Sequence, residues 1–167
     1  MNNKQLKEYI SSLADHGKVR GFIRLQIRDK EGNIRDDSGF VENVITNTGL
    51  AAMAGLVGNT GSIVAFTFLA VGTSATAAAA SQSALVAEIT TLGLARSAAT
   101  VTRSTTTQTN DTLQLDKTWA ASGTVTVEEI GVLNAISAGI MLARKVTGTK
   151  TLANGEDLIA TYKIIFT

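Results

Sequence analysis

Apolar residues at helical spacing open the chain. Leu6, Ile10 and Leu13 recur at i, i+4 and i+7 within residues 3–16, and charged side chains occupy other positions of the helix. This pattern predicts an amphipathic helical arm within residues 1–17. Because a helix of this length is marginal in water on its own, its apolar stripe needs a surface to pack against. That surface belongs either to the arm's own domain or to a neighbouring subunit.

A regular alternation of apolar and polar residues follows over residues 18–28, as in a half-buried strand. Turn-forming residues occupy positions 29–33, and the chain then returns as far as Ile45. The pattern predicts a β-hairpin over residues 18–45.

One face of this first strand carries a basic row, which consists of Arg20, Arg24 and Arg28. The returning strand carries the acidic residues Asp36, Asp37 and Glu42. Opposite charges on neighbouring strands can lie across from one another and neutralise the row. Two interpretations stay open: a solvated face that is paired within the chain, and a stripe that binds an anion or a partner.

A run of small and apolar residues over 49–57 predicts a short helix in the middle of the chain. Thr46, Asn47 or Thr48 can cap its N-terminus, and Gly58 can end it. Since this helix is apolar on nearly every side, we expect it to be buried or to lie in an interface.

The remainder of the chain is dominated by strand patterns. After a strand from Phe66 to Gly72 and a helical turn over 84–89, strands recur at roughly ten-residue spacing with turn residues between them. The last strand is apolar on both faces, which predicts a central position in its sheet. The strands of this last part are expected at residues 94–107, 112–120, 124–134, 140–146 and 157–167.

The strand over 124–134 changes the parity of its apolar positions near Glu128 and Glu129, which predicts a β-bulge at that point. Adjacent residues on a regular strand project to opposite faces, so these two side chains do not form the carboxylate pair of a glycosidase. We expect both of them to lie on the solvent side of the bulge.

These elements together indicate a mainly β protein. The predicted fold is an antiparallel β-sandwich of the jelly-roll type, with an N-terminal helical arm and one or two short helices. The predicted organisation is an arm at 1–17 and one β-sandwich domain at 18–167, which divides into the hairpin 18–45, the short helices and single strand of 46–91, and the strand-rich part 92–167.

The charge of the chain is low and unevenly distributed. Fifteen Lys and Arg oppose 14 Asp and Glu, so the net charge is +1 and no overall field favours nucleic acid or a membrane surface as a partner. Only 17% of the residues are charged, against about 25% in typical domains. Residues 43–87 contain no charged residue at all. A neutral surface of that extent predicts coverage by a partner or by further copies of the chain.

Candidate chemistry is sparse. The chain has no cysteine and a single histidine, His16, which disfavours thiolate or histidine-rich metal sites and histidine-based triads. No nucleophile-elbow or zinc-protease motif is present. We therefore expect no enzyme, no catalytic residue, no cofactor and no metal. Trp119 alternates with apolar residues, so it is expected in the core, although stacking on a glycan is an alternative role for it.

Six short motifs between residues 40 and 167 form a recognisable series: NVITNTGL at 43–50, FTFLAVGT at 66–73, ALVAEI at 84–89, EIGVLN at 129–134, MLAR at 141–144 and GEDL at 155–158. In this order they resemble small virion structural proteins of tailed bacteriophages, a group of capsid decoration and tail-fibre-like proteins. The resemblance implies a noncatalytic, β-rich oligomer, often a trimer, on the surface of a virion. It supplies no catalytic residues.

The expected function is that of a capsid decoration (cement) protein that binds the shell and stabilises it. Its expected partners are its own copies, in a trimer, and the major capsid protein or other virion proteins, after synthesis in the cytoplasm of a host bacterium. The alternatives are a tail, baseplate or fibre-attachment subunit and a carbohydrate-binding β-sandwich. The candidate interface residues are Leu6, Ile10, Leu13, Leu50, Met53 and Leu56.

Overall fold

The structure is a computed structural model that describes residues 1–12 and 19–166. It is mainly β, with 45% strand and 13% helix. Its helices and strands in chain order are α1 (Asn3–Ser12), β1 (Val19–Arg28), β2 (Ile34–Asp37), β3 (Val41–Glu42), β4 (Val44–Ile45), α2 (Asn47–Gly58), β5 (Phe68–Gly72), β6 (Ser97–Ala98), β7 (Thr100–Ser104), β8 (Thr112–Ala120), β9 (Val125–Leu133), β10 (Met141–Leu152) and β11 (Asp157–Phe166).

The strands form two antiparallel sheets. The first sheet has the order β2-β1-β11-β8-β7, with β3 also paired to β1, and the second has the order β4-β10-β9-β5-β6. Buried side chains from both sheets meet in one core cluster, for example Ile23 and Leu158 from the first sheet and Leu69 and Ile130 from the second. The predicted mainly β, antiparallel, sandwich-like class is confirmed, and the jelly-roll topology is not.

The last strand holds a central position, as its two-sided apolar pattern predicts. β11 pairs with β1 on one side and with β8 on the other. One face of β11 contributes Leu158 and Tyr162 to the main core. Burial raises the pKa of the Tyr162 phenol, whose oxygen accepts a hydrogen bond from the Asn43 side-chain amide. The other face contributes Ile165 to a second cluster.

That second cluster is covered by α1. Leu6 is only 1% exposed and packs with Phe22, Phe40 and Ile165 on the outer face of the first sheet. The backbone N–H of Phe40 donates to the carbonyl of Met1 at 2.7 Å. The described part of the N-terminal segment therefore docks on its own chain. The predicted continuation of the helix over 13–16 lies outside the described residues.

The predicted hairpin over 18–45 is only partly correct. β2 and β3 both return along β1, as predicted, but the pairing with β1 ends at Glu42. β4 crosses to the second sheet and pairs with β10 instead. The crossing takes place at Asn43, whose backbone N–H still donates to the Gly21 carbonyl of β1 at 2.9 Å, while Val44 and Ile45 already pair with β10.

Two other sequence predictions are corrected by the sheet topology. The strand predicted over 94–107 is divided at Ala99, since β6 pairs with β5 in the second sheet and β7 pairs with β8 in the first. The helical turn predicted over 84–89 is not formed. In its place the chain bends at residues 84 and 86–87 and then runs beside β5, where Glu88 forms a bridge with Gly72 and the Ile89 N–H donates to the Val71 carbonyl at 2.8 Å.

Candidate interaction surface

The helix α2 has strong local signals at both ends. Thr46 is its N-cap, and the Thr46 hydroxyl oxygen accepts the N–H of Gly49 at 2.9 Å. At the other end Asn59 adopts a left-handed conformation with φ of 48°, and its N–H reaches the carbonyls of the last turn. Both features are standard ways of satisfying the free backbone groups of a helix end. The predicted helix over 49–57 is confirmed and extends to Asn47–Gly58.

The way α2 lies on the protein is unusual, because it buries its small residues. Gly49 and Ala52 are its buried positions. A Cβ atom at Gly49 would lie 2.5 Å from the carbonyl oxygen of Leu142 on β10. The helix backbone thus contacts the backbone of β10 directly, and only glycine permits this approach.

The large apolar residues of α2 point away from the core. Leu50 is 47% exposed, Leu56 is 37% exposed and Val57 is 91% exposed, while Met53 is half-buried. A surface helix of a globular protein ordinarily shows the opposite arrangement, with large apolar residues inside and polar residues outside. α2 contains no charged residue, so its outer side offers no ionic group to water.

An apolar groove of about 160 Å³ continues this exposed area. Met53 and Leu56 of α2 form one wall, Leu142 and Ile164 are among the core residues that line it, and Val101 and Phe166 also line it. Val101 and Phe166 are 40% and 46% exposed. We call the exposed area and the groove together the α2 surface, defined by Leu50, Met53, Leu56, Val57, Val101 and Phe166.

One side of the α2 surface is the open edge of the first sheet. β7, which carries Val101, pairs with β8 and with no further strand in the described part of the chain. Four of its five residues are exposed. An edge strand of this kind leaves backbone N–H and C=O groups free to bond to a partner.

The structure separates the candidate interface residues into two groups. Leu50, Met53 and Leu56 belong to the α2 surface. Leu6 does not, since it lies on the inner face of α1, buried against its own chain, and is not available to a partner in this arrangement. The side chain of Ile10 and all of Leu13 lie outside the described residues, as does His16.

The basic row on β1 is neutralised within the chain, which favours the first of the two interpretations. Each arginine reaches a carboxylate, and the pairs are Arg20–Glu42, Arg24–Asp37 and Arg28–Asp157. Hydrogen bonds from the Arg24 guanidinium lower the pKa of Asp37 to about 2. Asp36 was expected to face the row, but it accepts a hydrogen bond from Lys150 at 2.5 Å instead.

A fully buried ion pair lies on the second sheet, and it was missed by the sequence analysis. The expectation that Glu129 faces solvent is wrong: Glu129 and Arg144 are both fully buried, and the Arg144 Nε donates to Glu129 Oε2 at 2.6 Å. The Glu129 carboxylate also accepts the backbone N–H of Val86 at 3.1 Å and of Ala87 at 2.7 Å. These bonds fix the backbone of residues 86–87 to the second sheet, and the two N–H groups are not used in a helical turn.

Glu128, in contrast, is partly exposed, and its Oε1 accepts the hydroxyl of Thr149 at 2.8 Å. The predicted irregularity near this residue is present, since the β9–β10 register shifts between Val127 and Glu129. The extra residues lie on β10, however, where residues 147–149 oppose Glu128 alone. Glu129 is therefore buried in an ion pair while Glu128 lies at the surface, and the two carboxylates form no shared site.

Trp119 is buried, and its indole N–H donates to the carbonyl of Ala95 at 3.0 Å. The prediction that it packs in the core is confirmed. Its ring is not accessible to a glycan in this structure, so the carbohydrate-binding alternative loses the residue on which it depended.

Within residues 1–12 and 19–166, no cluster of three or more His, Asp or Glu is placed to hold a metal ion. Over the same residues no helix is long and apolar enough to cross a membrane. Comparison with known proteins gave no match to a family model, to a curated protein or to a solved structure.

Proposed function

We propose that this protein is a noncatalytic structural subunit of a bacteriophage virion, and that it acts as a capsid decoration protein that binds the shell and stabilises it. The observation that carries the proposal is the α2 surface. Large apolar side chains are exposed on a helix without charge, within a segment, 43–87, that has no ionisable side chain.

Covering the exposed apolar side chains of such a surface with another protein is energetically favourable. Removing apolar surface from water contributes about 25 cal/mol per Å². The central parts of permanent protein interfaces are apolar and depleted of charge, as the α2 surface is. An oligomer of such subunits that contacts a shell at several equivalent positions also gains from multivalency, so that individually weak contacts give strong overall binding.

The motifs that carry the resemblance support the same proposal. Three of them, at 84–89, 129–134 and 141–144, contain the partners of the buried network of Glu129, Arg144 and the backbone of residues 86–87. These motif residues therefore maintain a fold, which is what a family of structural subunits requires. The jelly-roll topology and assembly into a trimer are part of this proposal.

The pairing of the basic row on β1 with carboxylates of the same chain makes nucleic acid an unfavourable binding partner. Its arginines are engaged with carboxylates of the same chain, so the row offers little free positive charge to nucleic acid phosphates. We propose the major capsid protein, or another virion protein, as the binding partner.

The proposal is tested with shells of the phage that encodes the chain, assembled without this protein. Purified protein is added in increasing amounts, and bound protein is measured after the particles are sedimented. We expect saturable binding at a fixed ratio to the shell subunits and a raised melting temperature of the shells. Absence of saturable binding to any part of the particle contradicts the proposal.

A labelled form of the protein on intact particles distinguishes head from tail. Label on the head supports the decoration role. Label confined to the tail overturns it and assigns the chain to the tail, baseplate or fibre-attachment class.

A further inference from the structure

We infer that the α2 surface is the contact between copies of this chain, so that its occupant is the α2 surface of a second copy. The inference deepens the proposed function and rests on it, because a decoration subunit assembled as an oligomer needs a surface for its own copies. The size of the surface, the spacing of its residues and the composition of its border all fit a second copy.

The size of the α2 surface matches the apolar part of a standard interface. Its exposed members show between 37% and 91% of their surface to solvent, and together they present on the order of 400–500 Å² of mainly apolar area. A standard interface takes about 800 Å² from each partner, of which about 65% is apolar between identical subunits. One copy must therefore supply roughly 500 Å² of apolar area, which is close to what the α2 surface offers.

The spacing of the residues on α2 fits contact with the same helix of another copy. Leu50, Met53 and Val57 recur at i, i+3 and i+7, the spacing of a and d positions along a coiled-coil seam. Ala54 lies on the same side and is exposed, and its small side chain allows two helices to approach closely. Copies of α2 can thus pack around a shared symmetry axis.

The absence of charge on α2 favours a copy over a charged partner. A partner that brought ionic groups onto this helix would have to desolvate them without gaining a counter-charge. A second α2 surface brings equal apolar area and no charge. The border supplies the polar rim of an interface: Arg20 and Glu42 line the depression beside Leu50, and Thr100 and Thr102 flank Val101 on the open edge β7.

The test is the mass of the protein in solution, measured by sedimentation over a range of concentrations. We expect the unmodified chain to be an oligomer, with a trimer as the proposed form. Val57→Glu places a charge at the most exposed position of the surface and should weaken self-association by about 100-fold or more. Its circular dichroism and melting behaviour at low concentration should remain those of a folded β protein, since Val57 is 91% exposed.

Ile136→Glu is the matched control, because Ile136 is an exposed apolar residue, at 58%, outside the α2 surface. This variant should keep the mass of the unmodified chain. Ala54→Glu is a second variant at an exposed position of α2 and repeats the test should Val57→Glu fail to fold.

Each outcome decides the inference separately from the proposed function. A monomeric unmodified chain, or an oligomer that Val57→Glu and Ala54→Glu leave intact, overturns the inference. If those variants stay oligomeric but no longer bind shells, the α2 surface faces the shell, and the proposed function stands without the inference. If they become monomeric while the unmodified oligomer binds no particle, the inference stands and the proposed function fails.

Discussion

The two helices of the described chain lie against the sheets in opposite ways. α1 buries Leu6 in an apolar cluster and exposes charged residues on its other sides. α2 buries Gly49 and Ala52 and exposes Leu50 and Val57. Leu6 of α1 is thus covered by its own chain, whereas Leu50 and Val57 of α2 are not.

The two helices also differ in the charged residues on and around them. The sheet face beside α1 carries the basic row of β1, in which each arginine is paired with a carboxylate of the same chain. α2 itself has no charged residue. A face with satisfied charges and a docked helix is suited to water, whereas an uncharged helix with exposed leucines is suited to contact with protein. In the assembly that we propose, the face with α1 is the one directed to water, and the face with α2 is the one directed to protein.

The largest effect is expected from a matched pair of truncations, Leu6→Ala and Leu50→Ala. Leu6 is buried, so its truncation should lower the free energy of unfolding by about 2–5 kcal/mol. Leu50 is half-exposed, so its truncation should cost less than about 1 kcal/mol in the isolated chain. Urea unfolding in a Val57→Glu background, where self-association is suppressed, measures both. If Leu6→Ala and Leu50→Ala lower the free energy of unfolding equally, the two helices do not differ in how much their apolar side chains stabilise the isolated chain.

A smaller effect is expected where α2 contacts β10. In Gly49→Ala the new methyl group would lie 2.5 Å from the Leu142 carbonyl oxygen, and relief of this overlap should cost about 1–3 kcal/mol. Gly58→Ala is the control, because a Cβ there meets its nearest atoms at 3.7 Å. That variant should be neutral or more stable by up to about 1 kcal/mol, since alanine is the better helix former. Thermal unfolding of both variants tests the prediction, and a stabilised Gly49→Ala protein would contradict it.

The smallest effect is expected from pH on the face that carries α1. The pKa of Asp37 is lowered from 3.8 to about 2 by hydrogen bonds from Arg24. A carboxyl group whose pKa is lower in the folded state contributes stability above the unfolded value, and this contribution is lost as the pH falls from about 4 towards 2. Because the pair is partly exposed, the contribution should stay below about 1 kcal/mol.

Arg24→Gln should move the pKa of Asp37 back towards 3.8, which carboxyl chemical shifts in a pH titration would detect. An unchanged pKa in this variant would show that another group lowers it. α2 has no titratable residue, so protonation within this helix should not alter self-association over the same pH range.

Several elements could be predicted from sequence because their signals are local. The strand expected at 112–120 agrees with β8, Thr112–Ala120, since the alternation of its side chains is contained within the strand. α2 was predicted to within two residues at its N-terminus, because a capping threonine and an apolar run lie next to each other.

The remaining features depend on distant residues. Glu129 is separated by 15 positions from Arg144 and by 43 from Val86, so nothing near it in the sequence signals burial. The same contacts override the local helical signal over 84–89. The outward side of α2 was also not predictable, because it is decided by the contact of Gly49 with the carbonyl of Leu142.

The Glu129 carboxylate also has a consequence for engineering the protein. It holds residues 86–87 by the main-chain N–H groups of Val86 and Ala87, and every amino acid except proline has such a group. The identity of the side chain at position 86, which is exposed, is therefore not specified by this contact. A fluorescent reporter or an affinity label could therefore be attached at position 86. The backbone there would stay hydrogen-bonded to Glu129, and Glu129 itself would not need to be changed.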